Sequence, residues 1–330
     1  MKISEMKSSK IHIALLSTTL LALGGTGYAL AAEAGAVQDR SIVADGTTAK
    51  TLDESWRVAA DARIEIGNVR GKVDVAGWDK AEASLSGSLG AGSKLEISGD
   101  AQHLVLRVEG SKSGWFGGNG PDRDSDLVLH VPRAAALKLD VVGADANVTG
   151  IAGKSLEANS VSGTLVLASG APEVEIDSVS GEVKFTASAP SAAPRAHLQT
   201  VSGDIDAKGL GGRVKLETVS GNIGFDSAQV QELETGTVSG DARIRTTLAA
   251  HGRMQLESMS GNIRLRLPAA LSAHVEASTF SGSIGSDYGK VQDKGHGPGS
   301  SLDTRVGDGD AQIHVESFSG DIELRKQGGR

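Results

Sequence analysis

When the repeats in the second half of the chain are aligned, acidic residues recur at two positions of the repeat. Their carboxylates are the side chains best suited to catalysis or metal binding. Between residues 160 and 320 the sequence S/T-[V/M/F]-S-G occurs eight times. Acidic or amide residues follow the glycine, as Asp204 does, or stand four positions before it, as Glu217 and Glu257 do. Stacked carboxylates can act as general acids and bases on a polysaccharide, or hold calcium weakly. Glu217 and Glu257 are therefore the residues to test for catalysis.

The remaining titratable residues do not complete a motif. Asp122, Asp124 and Asp126 alternate like the start of a calcium loop, but the twelfth position of that loop is Arg133. The histidines are scattered, and His197 and His314 stand six positions before a glycine, in a variable column that we expect at the surface. Zinc-protease, serine-hydrolase and nucleotide-binding motifs are missing. We therefore predict no catalytic residue, no metal ligand and no cofactor.

Composition removes further classes of protein. The 330 residues include no cysteine, which excludes disulfides, thiolate zinc sites and a cysteine nucleophile. A net charge of −8 disfavours partners with a phosphate backbone, so no nucleic-acid partner is expected. Only Phe185, Phe225, Phe280 and Phe318 bring aromatic rings into the repeats, and we expect all four in the core. A platform for stacking sugars is then missing, and an enzyme is not the leading hypothesis.

The repeats define a unit made of a strand, a corner and a second strand. Their glycines lie 18 to 22 residues apart, except for a last gap of 38 residues. Apolar residues two positions after the glycine and five before it alternate with polar ones, which is typical of half-buried strands. A unit of about twenty residues cannot bury its apolar face alone, so the repeats must stack. The prediction is an all-β fold, a β-solenoid of about nine coils with an N-terminal β-sheet cap.

The Ser-Gly pair of each repeat is predicted to form the corner. Glycine permits either a positive φ or a close approach of two backbones. The serine before it would cap corner amides and form a hydroxyl ladder between coils, a structural role that we favour over a catalytic one. The predicted corner residues are Ser162 and Gly163, Ser180 and Gly181, Ser202 and Gly203, Ser220 and Gly221, Ser239 and Gly240, Ser260 and Gly261, Ser281 and Gly282, and Ser319 and Gly320.

The chain divides into four segments with one insertion. Residues 1–31 read as a signal peptide and residues 32–55 as a flexible leader. Residues 56–133 form the β-sheet cap, and residues 134–327 form the solenoid, with a glycine-rich insertion near residues 285–310. The signal is predicted from three early lysines, a short apolar run and an A-x-A cleavage site. That run is too short to span a bilayer comfortably, so an integral membrane protein is not expected.

A glycine-rich loop at residues 110–126 carries Trp115 and Phe116, which could contact a partner or fold back on the domain. Arg325 and Lys326 are predicted to protect the C-terminal end of the sheet from edge-to-edge pairing.

Three stretches of sequence resemble a known family. VPRAAALKLDVVGADANVTGIAGKSLEANSVSG at residues 131–163, GDGDAQIHVESFSGDIEL at residues 307–324 and NVRGKVDVAGWDKAEASL at residues 68–85 are similar to the bacterial putative-adhesin family of exported domains of unknown function. The resemblance covers residues 60–325. It implies an envelope-associated β-solenoid, and it supplies no catalytic or ligand-binding residue.

The leading hypothesis is a non-enzymatic exported protein of a bacterial envelope, either periplasmic or secreted to the cell surface, acting as an adhesin or as an interaction or structural module. Its partner would be an envelope protein or a polysaccharide. One alternative is a carbohydrate-active β-helix lyase or hydrolase that uses the carboxylate columns. A second alternative is a periplasmic partner of an envelope-stress signalling system.

Overall fold

A computed structural model describes residues 35–110, 123–188, 195–293 and 299–327. Within these ranges the chain is all-β, and its strands join in one sheet. No helix in this part of the chain has the length and apolarity needed to cross a bilayer. The strands are β1 (Arg40–Val43), β2 (Lys50–Arg57), β3 (Arg63–Trp78), β4 (Glu82–Leu89), β5 (Lys94–Gly99), β6 (His103–Glu109), β7 (Ser125–Pro132), β8 (Ala136–Ile151), β9 (Ser155–Ser162), β10 (Leu165–Ser169), β11 (Glu173–Ser180), β12 (Val183–Ala187), β13 (Arg195–Ser202), β14 (Ile205–Lys208), β15 (Arg213–Ser220), β16 (Ile223–Asp226), β17 (Val230–Ser239), β18 (Ala242–Arg245), β19 (Leu248–Ser260), β20 (Ile263–Leu267), β21 (Ala273–Ser281), β22 (Ile284–Ser286), β23 (Gln292–Asp293), β24 (Ser300–Val306), β25 (Ala311–Ser319) and β26 (Ile322–Lys326).

The repeats stack as two parallel ladders that meet at the Ser-Gly pairs. The strands before the corner stack in the order β8, β9, β11, β13, β15, β17, β19, β25 and β21. The strands after it stack in the order β8, β10, β12, β14, β16, β18, β20, β26 and β22. The long strand β8 belongs to both ladders. The predicted β-solenoid is confirmed.

The register aligns equivalent residues of successive coils, and the predicted interior columns are buried. Leu198 pairs with Leu216 before the corner, and Ile205 pairs with Ile223 after it. All four are at most 1% exposed. Because each fully buried aliphatic side chain stabilises the fold by about 1.5–3 kcal/mol, these columns are the main source of stability.

Two of the four phenylalanines are not in the core. Phe185 and Phe225 are buried, as predicted, but Phe280 and Phe318 are more than half exposed, so that part of the prediction is wrong. The reason is the period of two residues in a strand. The residue three positions before the corner glycine points inward, so the Val, Met or Phe that follows it points outward.

The last two coils are stacked in the reverse of their chain order. β25 and β26 insert between the preceding coil and β21 and β22, and this excursion produces the gap of 38 residues. Arg325 and Lys326 therefore do not guard the end of the solenoid, because β26 lies between β20 and β22. The free edge of β21 is instead covered by β24, which runs antiparallel to it.

The N-terminal part extends both ladders outward. β3 pairs with β8 along most of its length and with β6 and β7 on its other side. Antiparallel strands β5 and β4 follow, and β1 and β2 lie outside them. The expectation of a flexible leader fails over residues 40–55, because β1 and β2 are ordered by pairing and Leu52 and Trp56 are buried.

Candidate interaction groove

The corners bring successive backbones very close together. A Cβ built on Gly221 would lie 1.9 Å from the carbonyl oxygen of Gly203, the corner glycine of the coil below. Gly163 and Gly181 also have positive φ values of 120° and 119°, whereas Gly221 does not lie in that region. Close approach of the backbone is therefore the requirement at the central corners, and glycine meets it because it lacks a Cβ.

The serines of the Ser-Gly pairs lie side by side at the surface. Ser202 pairs with Ser220, and the neighbouring coils continue the row. The hydroxyl of Ser162 donates a hydrogen bond of 3.1 Å to the carbonyl oxygen of Val142 on the neighbouring coil. Ser180 is half-buried, and seven serines are exposed: Ser162, Ser202, Ser220, Ser239, Ser260, Ser281 and Ser319.

An exposed apolar side chain precedes the corner serine in eight coils, and Val142, which precedes Gly143, holds the equivalent position in the first coil. These nine side chains form one continuous row, which we call the apolar ladder. Each is between 46% and 55% exposed. At about 4.8 Å per coil the row is roughly 40 Å long. In stacking order the members are Val142, Val161, Val179, Val201, Val219, Val238, Met259, Phe318 and Phe280.

A buried column of serine and threonine hydroxyls lies beside the apolar ladder, one residue earlier in every coil except the first, where Val141 takes this position. Thr218 donates a hydrogen bond of 3.3 Å to the carbonyl oxygen of Gly203, and Thr279 donates one of 3.0 Å to that of Gly320. The hydroxyl oxygens of Thr200 and Thr237 are buried without a hydrogen-bond partner among the described residues.

The residues one position before the hydroxyl column, four before the corner glycine, form a second outward-facing row, which we call the acidic wall. It lies on the other side of the hydroxyl column from the apolar ladder. Between the wall and the ladder runs a groove of about 1180 Å³, with the hydroxyl column as its floor. Five carboxylates line the groove, and none of its lining residues is Lys, Arg or His. The wall, in stacking order, consists of Asp140, Asn159, Asp177, Gln199, Glu217, Gly236, Glu257 and Glu316.

The basic side chains that contact Glu217 are not among the residues that line the groove. Glu217 is 3.1 Å from both the Lys215 ammonium and the His197 ring nitrogen. The hydrogen bond from Lys215 to Glu217, followed by its contacts with Glu234, raises the pKa of Lys215. One oxygen of Asp177 is buried and has no partner in the described structure. The residues that line the groove therefore include carboxyl groups but no basic side chain.

A ladder of alternating acid and amide side chains follows the corner glycines. Asp204 accepts a hydrogen bond of 2.7 Å from the backbone amide of Asn222, and Asn222 accepts one of 3.1 Å from the amide of Asp241. Asp241 in turn accepts one of 3.1 Å from Asn262. Burial alone would raise the pKa of Asp241, but the amide of Asn262 and the Arg243 guanidinium together lower it below its usual value. This ladder fastens one coil to the next.

Two of the candidate residues predicted from the sequence line the groove, and two others cannot be placed. Glu217 and Glu257 both lie in the acidic wall, two coils apart. Trp115 and Phe116 lie outside the described residues. The apolar ladder itself was missed. Its signal in the sequence was an apolar residue in each repeat at an outward-facing position of the strand.

The family model Toastrack DUF4097 matches residues 59–325. This chain belongs to the Toastrack DUF4097 family. Among solved structures, a putative adhesin from Parabacteroides distasonis is similar at 12% identity, over 85% of this chain and 99% of that one, with a TM-score of 0.37. A putative adhesin from Bacteroides fragilis is similar at 10% identity, over 83% and 97%, with a TM-score of 0.36. A putative lipid binding protein from P. distasonis is similar at 10% identity, over 86% and 99%, with a TM-score of 0.34. No curated protein matches the chain.

Proposed function

We propose that this Toastrack DUF4097 protein is a non-enzymatic interaction module of a bacterial envelope, and that it binds its partner in the groove between the apolar ladder and the acidic wall. The observation that carries the proposal is the apolar ladder, with one half-exposed Val, Met or Phe in each of nine successive described coils. Isolated exposed apolar residues are ordinary on a protein surface. A contiguous row of roughly 40 Å, bordered by polar residues, is typical of a binding site.

The composition of the groove defines the chemistry of its partner. One side offers aliphatic and aromatic surface along its whole length, and the other side offers five carboxylates without a basic residue. Complementarity therefore calls for an elongated protein segment with apolar side chains along one edge and Lys or Arg along the other. Apolar burial would supply most of the affinity, and the ionic contacts would set orientation and partner choice.

Export is part of the same proposal and rests on the sequence of residues 1–31. A mature protein that begins at Ala32 would place the solenoid outside the cytoplasm. Measuring the intact mass of the protein isolated from envelope fractions tests this step, because removal of residues 1–31 changes the mass by a known amount. A protein of full-length mass in those fractions would contradict the signal-peptide assignment.

Binding of a designed peptide tests the groove directly. The probe is a labelled peptide of about 18 Leu and Lys residues, arranged with the helical period so that one face is apolar and its flank is basic. We expect saturable binding by fluorescence anisotropy that weakens as salt concentration rises. A matched peptide with Glu in place of Lys should bind at least about tenfold more weakly, a difference of about 1.4 kcal/mol.

Two variants with the same substitution separate the groove from the rest of the surface. Val219→Asp places a charge in the middle of the apolar ladder, whereas Val166→Asp places the same charge at an exposed valine on β10, away from the groove. We expect the first variant to lose peptide binding and the second to keep it. Equal binding by both variants would overturn the groove assignment. Preference for the Glu peptide, or binding only of neutral polysaccharides, would overturn the partner chemistry.

A further inference from the structure

A second cluster of chemically capable side chains lies at the C-terminal end of the solenoid, outside the groove. β21 contributes His274 and Glu276, β24 contributes Asp303, and β25 contributes His314. In the sheet register Glu276 lies directly between Asp303 and His314. Three neighbouring strands thus bring two imidazoles and two carboxylates to one patch of the surface.

The distances within this cluster suit a metal ion. The His274 Nε2 atom is 2.8 Å from a carboxylate oxygen of Asp303 and 3.8 Å from one of Glu276. One ligand atom from each of these three residues lies within 4.8 Å of the others. Ligands about 2.0–2.2 Å from a tetrahedral zinc ion are separated by roughly 3.5 Å, so small side-chain rotations would complete the site.

We propose that His274, Glu276 and Asp303 bind one divalent transition-metal ion of the zinc class. Imidazole nitrogen with carboxylate oxygen favours zinc and similar metals over calcium, which prefers an all-oxygen shell. His314 Nδ1 lies 3.5 Å from the second carboxylate oxygen of Glu276 and would orient that ligand from behind.

The position of the site gives the ion a structural role. β24 is the antiparallel strand that covers the free edge of the last coil, and its Asp303 is largely exposed. A metal bridge from Asp303 to His274 and Glu276 ties this cover strand to β21. Because ligands of the folded state add their binding energy to folding, the ion would raise the melting temperature.

Titration of the full chain with ZnCl2 tests the site. We expect one saturable site by isothermal titration calorimetry, together with a rise in melting temperature that EDTA reverses. His274→Ala and Asp303→Asn should each weaken binding at least about tenfold, or about 1.4 kcal/mol. His197→Ala is the matched control, because His197 also pairs with a carboxylate on the outer face, but no such cluster within the described part of the chain includes it.

Two spectroscopic measurements distinguish loss of the metal site from loss of the folded structure. Circular dichroism should show native β-structure in all variants, and the visible absorption of bound Co2+ should be present in the parent and in His197→Ala but lost in His274→Ala. No saturable binding to the parent would overturn the proposal. Binding that is equal in all four proteins, or that disappears in His197→Ala, would also overturn it.

Discussion

The rings of Phe280 and Phe318 stack with their centroids 5.0 Å apart and their planes 9° apart, although the two residues are 38 positions apart in the chain. Their strands are neighbours because β25 inserts between β19 and β21. The pair extends the apolar ladder through the coils whose chain order is reversed. The row of exposed apolar side chains is therefore continuous even where the stacking order of the coils differs from their order in the chain.

The apolar ladder should contribute little to stability, although its residues are as apolar as those of the core. Val219 is nearly half exposed and Leu216, three residues earlier, is fully buried. We expect Val219→Thr to change the free energy of unfolding by no more than about 0.5 kcal/mol, and Leu216→Ala to lower it by about 2–5 kcal/mol. Urea denaturation of both variants measures this difference. A loss above 2 kcal/mol for Val219→Thr would mean that the ladder serves packing.

The corner at Gly221 should not accept a Cβ. The carbonyl oxygen of Gly203 occupies that space at 1.9 Å, and this backbone atom cannot rotate away as a flexible side chain would. Gly221→Ala should lower the free energy of unfolding by about 1–3 kcal/mol through overpacking. Gly236→Ala is the control, because the nearest atom to its Cβ is a side-chain carbon of Glu217 at 4.0 Å. Equal melting temperatures for the two variants would refute the corner geometry.

The alternation of acid and amide after the corners should matter for stability. Asn222→Asp would create three stacked carboxylates with Asp204 and Asp241, and would remove the amide donor to Asp204 at 3.2 Å. We expect a loss of about 1 kcal/mol at pH 7.

The pH dependence of that loss identifies its cause. Repulsion raises the carboxylate pKa values in the folded variant, so the penalty is present above those values and disappears as protonation removes the charge. Thermal unfolding at several pH values and salt concentrations measures it, with Gln229→Glu adding the same charge at an exposed site. A penalty that does not change with pH or salt would exclude charge repulsion as its source.

Tyr288 should lose its proton at a higher pH than an ordinary tyrosine, and the stability of the fold should therefore decrease at alkaline pH. Burial, and then the nearby Asp287 carboxylate, raise its pKa to about 12, and its hydroxyl donates a hydrogen bond of 2.8 Å to the carbonyl oxygen of Leu267. Unfolded tyrosine loses its proton near pH 10. The stabilising effect is therefore complete below about pH 10 and is lost as the pH rises toward 12.

A difference titration isolates this one tyrosine. Subtracting the ultraviolet titration of Tyr288→Phe from that of the parent leaves the Tyr288 signal alone, although the chain has a second tyrosine. We expect its midpoint near pH 12. A midpoint near 10 would show that the partial burial of Tyr288 does not raise its pKa.

The regular part of the fold could be predicted because one residue pattern repeats in every coil. Two-residue periodicity at positions such as Leu216 and Ile223 identified strands, and the short repeat required stacking. The same periodicity also predicts that Phe318 points outward. Its aromatic character favoured the core instead, and the small side chain of Ser317 takes the inward position.

The ends of the solenoid could not be predicted from periodicity. β25 pairs with β19 on one side and with β21 on the other, so the stacking order differs from the chain order. The repeat pattern is the same in every coil and therefore does not specify which strands become neighbours. For the same reason the proximity of His274, Asp303 and His314 is invisible in the sequence. The strands β1 and β2 were also missed, because their polar residues resemble those of a leader although Trp56 is buried.

Nuclear magnetic resonance of valine methyl groups during titration with the Leu/Lys peptide tests the central proposal most directly. The account predicts shifts of the methyl signals of Val161, Val179, Val201, Val219 and Val238, one in each of five stacked coils, while the signals of the exposed Val166 stay unchanged. Shifts that centre on Val166, or that leave the five ladder valines unperturbed at saturation, would contradict the proposed binding groove.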